Sequence, residues 1–217
     1  ELMIESLQMA WVGTIIGATL SLPLGFLGAK NVSSPLVSNI MRQILNAIRA
    51  FPELILAIAI FIPIAGLGPV AGALAIGIHS AGTLGKLTAE AIEGIDEGPV
   101  EAARAVGGRG LQAQRWGVVP QVLPELIGFW LYRFEINIRA GAVLGVVGAG
   151  GIGAALGQLF AFHRWPQAGT AILVIIVATI IVDTISGSAR RRIIVGSDAK
   201  TVAEVDLMAT PASADSH

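Results

Sequence analysis

The chain has 217 residues, of which 54% are hydrophobic and only 13% charged, with a net charge of −1. Soluble domains carry about 25% charged residues, so this composition, with a mean hydropathy of +0.75, belongs to an integral membrane protein and offers no basic surface for nucleic acid. There is no cysteine, hence no disulfide, thiolate nucleophile or Cys-based metal site, and three scattered histidines (His79, His163, His217) form no ligand cluster.

Residues 6–29 form an uncharged run of 24 between Glu5 and Lys30, enough for the about 20 apolar residues of a membrane helix. Gly13 and Gly17 form a small-xxx-small pair that lets another helix approach; we read it as packing within one subunit. The chain opens on Glu1 rather than Met, so whether a native span precedes it stays open, and no signal peptide is visible. Residues 30–49 are basic (Lys30, Arg42, Arg49) and read as a loop or an interfacial helix. Residues 54–85 hold no Asp, Glu, Lys or Arg over 32 positions; Pro63 and Gly66-Leu67-Gly68-Pro69 divide them into a hairpin with arms at 50–64 and 70–88. Glu53 and Glu90 fall at arm ends and read as boundary residues.

The loop 92–119 contains a short helix over about 99–106. Pro99 opens it and Gly107-Gly108 stops it, the usual asymmetry of helix ends. Asp96, Glu97 and Glu101 load its positive end, while Arg104 and Arg109 sit toward its negative end. A helix this short is not stable alone, and Ala102, Ala103 and Ala105 would let a partner surface come close. It reads as a connector or as a docking helix.

A fourth span follows at 120–139, with Arg133, Glu135 and Arg139 toward its far end. Glu135 and Arg139 stand i,i+4 in the favourable order. They read as a pair neutralising itself at the outer interface; alternatively Arg133 or Arg139 faces a conduit and attracts an anion. Residues 140–163 are uncharged apart from His163, and seven of the 24 are glycine. If this segment crossed the membrane, Arg190-Arg191-Arg192 would be exported, against the bias of basic residues to the cytoplasmic side. We therefore read it as dipping and returning, or ending outside. Broken backbone at membrane depth needs cover from protein or a water-filled cavity, so this segment is a candidate for lining or gating a pathway. The last span is 166–186, with Asp183 as an anchor near the inner end; 197–217 is small, polar and expected to be a disordered cytoplasmic tail.

Glu101-Ala102-Ala103, three residues, then Gly107, and later Val119-Pro120, resembles the cytoplasmic loop of ABC-importer permeases of the binding-protein-dependent type. Gly117 stands where Ile is usual in that pattern and Val119 where Leu is usual. A narrower resemblance, carried by Tyr132 to Arg139 and by Val143 to Gly153, is to phosphonate- and phosphate-type permeases. The resemblance spans about residues 50–190. It implies an all-α, polytopic transmembrane bundle of the type I importer kind, acting as a homodimer in the bacterial inner membrane. It also implies that Glu101, Ala102, Ala103, Arg104 and Gly107 couple to separate ATPase subunits, which hold ATP and magnesium, and that a soluble binding protein delivers the solute. This chain is then no enzyme and carries no cofactor; it has no phosphate-cradling G-x-x-x-x-G-K-[ST]. The solute implied is a phosphonate, with phosphate or phosphite as alternatives. Arg133, Asn137 and Arg139 are candidates for sensing that anion, and Gly148, Gly150 and Gly151 for lining its route.

Three rival readings fit less well. Gly148-Ala149-Gly150-Gly151-Ile152-Gly153 satisfies G-x-G-x-x-G, but no acid stands about 20 residues on to hold a ribose. His79-Ser80 has no acid spaced to make a catalytic arrangement. An ion-coupled transporter would want a titratable acid at mid-membrane, whereas the acids here fall at predicted span ends.

Overall fold

A computed structural model describes the backbone of residues 1–209 and side chains as far as Arg191. The described chain is helical, with no strand. The elements are α1 (Leu2–Gly28), α2 (Pro35–Ala50), α3 (Glu53–Ala65), α4 (Pro69–Glu93), α5 (Gly98–Ala105), α6 (Leu111–Ala149), α7 (Gly151–Ala161) and α8 (Trp165–Ala209). Prolines set many of the boundaries. Pro35, Pro69 and Pro99 each lie in the first turn of a helix, where the missing N–H costs nothing. Pro63 and Pro120 each follow a π-helical turn, Ala57–Phe61 and Gln114–Val118. A proline has no N–H for the carbonyl four residues back and crowds it, and a wider turn relieves both problems.

The centre of the fold is a parallel pair, α1 and α4. Gly13, Gly17 and Gly25 of α1 stand against Ile76, Ser80 and Thr88 of α4 at a constant sequence offset, while Gly77 and Gly85 of α4 receive Ile16 and Leu24. A Cβ at Gly17 would collide with the Cβ of Ser80, and one at Gly77 would come within 2.8 Å of Ile16 Cγ2. The small residues therefore set the helix separation, the use of small-xxx-small spacing that brings membrane helices close. Gly13 and Gly17 pack inside the subunit.

α2 runs back along α4, with Leu45 against Gly85 and Ile48 against Gly82. At Phe51-Pro52 the chain bends by 86° into α3. Of residues 30–49, read from sequence as a loop or an interfacial helix, those from Pro35 onward form a regular helix that runs to Ala50. Ser34 caps it through Val37 N–H, and Leu45 is fully buried. α6 runs antiparallel to α1 and α4 and continues past Arg139, where the fourth span was expected to stop, as far as Ala149. α8 lies antiparallel beside α6. Its helix continues to Ala209, well into the stretch expected to be a disordered tail; residues 210–217 lie outside those described.

Among the described residues, three helices are long and apolar enough to cross a membrane: Leu2–Gly28, Pro69–Glu93 and Trp165–Arg191. Two bent pairs, α2 with α3 and α6 with α7, bring the number to five if each pair makes one crossing. Two apolar clusters hold the ends. One joins Met9, Leu56, Ala57, Ile76, Leu144 and Ala149 near the α3–α4 turn. The other joins Ala29, Ile92, Val100, Val118, Val122 and Leu126, and fastens α5 to the bundle.

Candidate functional site

At one end of the bundle α5 is held as a short exposed rod. Asp96 Oδ1 accepts from Gly98 N–H at 2.9 Å and orders the entry. At the exit, Gly107 N–H donates to Arg104 O (3.0 Å) and Gly108 N–H to Ala103 O (2.9 Å), the Schellman pattern. Gly107 supplies the φ of +92° that the pattern requires. The helix occupies Gly98–Ala105, close to the expected 99–106.

Val100 is its buried side chain, while Glu101, Ala102, Arg104 and Gly107 are exposed and Ala103 is half-buried. Val100 sits directly on Gly117, where a Cβ would come within 2.7 Å of Val100 Cα. That accounts for the glycine in the position where the resemblance leads one to expect Ile. Two further supports were missed from sequence. Gln121 donates to Asp96 O (3.0 Å) and Gly117 O (2.6 Å) and accepts from Asp96 N–H (3.1 Å), so one side chain pins the loop to α6. Asn31 and Val32 form the far wall of a cavity of about 210 Å³ lined also by Glu97, Glu101 and Arg104.

Near the middles of α1, α4 and α6 lies a buried polar network. Asn137, fully buried, donates from Nδ2 to Thr14 Oγ1 (2.9 Å) and Ser80 Oγ (3.1 Å). Arg133, 8% exposed, donates from Nε to Ser80 Oγ (3.0 Å) and from a terminal nitrogen to His79 Nδ1. Glu53 stands 3.6 Å from the same His79 nitrogen. The adjacent pair His79-Ser80 is therefore engaged in hydrogen bonding. Glu53, read as a boundary residue, lies at the 86° bend beside His79.

The structure brings Arg133 and Asn137 together but not Arg139. Residues four apart share a helix face, whereas six apart points elsewhere. Arg139 is half exposed and reaches Asp183 of α8 at 3.9 Å. The expected Glu135–Arg139 pair is not made. Glu135 instead accepts from Arg190 at 3.4 Å, and Arg190 also lies over the Tyr132 ring. The reason is tertiary: antiparallel α8 offers each of the two residues a partner of opposite charge. Asp183 accordingly pairs with Arg139 of α6.

At the opposite end, Gly148 (φ +103°), Gly150 (φ +84°) and Gly151 (φ +64°) turn the chain between α6 and α7 at 56°. Ser6 Oγ accepts from Ile152 N–H at 3.0 Å and holds the new helix start against α1. This bend lies against Leu67 and Pro69 of the α3–α4 turn.

Residues 21–195 match the family model of the binding-protein-dependent transport system inner membrane component. Over 190 residues the chain is 43% identical to a phosphite transport system permease protein of Stutzerimonas stutzeri, covering 87% of this chain and 69% of that one. It is 41% identical to a phosphate-import permease protein of Mycolicibacterium smegmatis, covering 88% of this chain but only 36% of that one. It is 44% identical over 121 residues to a protein of Escherichia coli K12, provisionally named a cryptic phosphonate transport system permease, covering 56% of this chain and 99% of that one. Among solved structures, the inward-facing MetNI methionine ABC transporter aligns with a TM-score of 0.77 at 22% identity, over 88% of this chain and 94% of that one. That likeness extends to the fold.

Proposed function

Because the chain belongs to the binding-protein-dependent transport system inner membrane component family, we propose that it is the permease subunit of an ATP-driven importer for phosphonate, phosphite or phosphate. It is a transport protein of the inner membrane rather than an enzyme. One observation carries the coupling part of this reading. The Gly98–Ala105 helix is anchored through Val100 and leaves Glu101, Ala102 and Arg104 free for a partner. Separate ATPase subunits, holding ATP and magnesium, grip this rod, and their closure switches the bundle between outward and inward openings. A soluble binding protein delivers the anion from the other side. Two copies of the chain complete the path, the second copy covering the apolar and charged surface that α3 and α6 expose.

Within the membrane, Arg139 is exposed and is our choice for contact with the passing anion. Arg133 and Asn137 stand behind it in the packed centre, and Gly148, Gly150 and Gly151 bend the backbone at the far mouth. The bundle end that carries α5 faces the cytoplasm.

The test is reconstitution in vesicles with the ATPase and binding protein encoded beside this chain, followed by uptake of phosphite, phosphate and methylphosphonate. ATP-dependent accumulation of at least one of them is the expected result. Accumulation without the ATPase would instead identify an ion-coupled transporter. Arg139→Gln is expected to lower uptake severalfold while the ATPase still co-purifies; wild-type uptake would remove Arg139 from the route.

A further inference from the structure

α4 ends on two carboxylates, Glu90 and Glu93, and its last turn carries no base. Acid at a helix C-terminus opposes the macrodipole. Glu90 has Lys86 one turn back, at 3.7 Å. Glu93 is answered from outside the helix. Its Oε1 accepts from the backbone N–H of Lys30 at 2.7 Å and from Arg42 of α2. Arg42 also donates through Nε to Gly28 O at 3.0 Å, one of the carbonyls left open where α1 ends. Asn31 Nδ2 donates to Ile92 O at 2.7 Å, doing the same for the end of α4. The ends of α1 and α4 and the side of α2 are thus tied at one point, only a short loop away from α5. Glu93 and Arg42 are each about one quarter exposed, so the pair is not merely a solvated surface contact of little net effect.

We infer that the Glu93–Arg42 contact is the joint through which movement of α5, passed to the α1–α4 pair, reaches α2. The inference rests on the permease reading. When an ATPase displaces α5, the part of the pull that travels along the short loop to α4 arrives at Glu93. With the contact intact, α2 follows the meshed α1–α4 pair; without it, the pair moves while α2 lags and hydrolysis runs without transport. Glu93 and Arg42 are positioning residues that touch no solute.

The experiment measures ATP hydrolysed per phosphite, phosphate or methylphosphonate imported, in the same vesicles, for wild type, Glu93→Gln, Arg42→Gln and the double variant. Each single variant is expected to raise that ratio severalfold with the ATPase still bound. The double variant is expected to raise it no further, because residues acting through one contact are non-additive. Arg42→Lys, which keeps the charge, is expected to recover part of the coupling. A wild-type ratio in both single variants, additive effects in the double, or loss of ATPase assembly in both singles would overturn the joint. Absence of ATP-driven uptake in wild type would instead overturn the permease reading itself.

Discussion

Asn137 shows how a single residue fixes the middle of the bundle. It has no contact with solvent, and its amide serves Thr14 and Ser80 on two other helices. Asn137→Leu would remove the amide from both hydroxyls, leaving Thr14 only its bond to Ala10 O and Ser80 only that from Arg133, at a cost of about 0.5–1.5 kcal/mol for each hydrogen bond lost. We expect a clear fall in thermal unfolding temperature in detergent, larger than for Ser188→Ala on α8, whose hydroxyl bonds only its own helix. Gly17 makes the opposite case, since there an added side chain does the damage. Gly17→Val would force α1 off Ser80, and overpacking typically costs about 1–3 kcal/mol; Gly17→Ala would cost less, and the order of the two melting temperatures checks the geometry. Part of this was legible in the sequence. Residues 133 and 137 share a face by helical period, and Gly13 and Gly17 are spaced for close packing. That Thr14 and Ser80 would complete the network was not legible, because nothing local in α1 or α4 specifies the register between them.

At the level of elements, α5 was the most readable piece, since its start, stop and charge arrangement are all written within about a dozen residues. Its seating was less so. Gly117 gains its meaning only once Val100 lies on it. Replacing Gly117 with Ile should lift α5 from α6. We expect reduced co-purification of the ATPase and reduced uptake from a bundle that still folds, as judged by an unchanged helical circular dichroism signal. The Glu135–Arg139 expectation failed for a related reason. Intrahelical spacing is visible in one segment, but Arg190 and Asp183 arrive from a helix some fifty residues on and compete successfully. The bend at Pro52 was hidden as well. A proline before an apolar run marks a helix start, but not the 86° between that start and the helix preceding it.

For the molecule as a whole, Lys30, Arg42, Arg104, Arg109 and Arg115 gather at the end where α1, α4 and α5 meet, the end that the proposed topology puts in the cytoplasm, in line with the bias of basic residues. Because the chain has no cysteine, single cysteines can report sidedness without background. Leu67→Cys, at an exposed turn, should react with an impermeant thiol reagent in intact spheroplasts, and Ala105→Cys only after the membrane is opened. The reverse pattern would invert the topology. The meshing of α1 with α4 has a mechanical corollary. Their ridges repeat every four residues, so sliding one along the other must jump a whole notch of about 6 Å or not occur. The two helices therefore travel as a single plank. Whatever changes shape as the gate alternates must lie at the hinges around it: the corner at Pro52, the widened turns before Pro63 and Pro120, and the glycine elbow at 148–151.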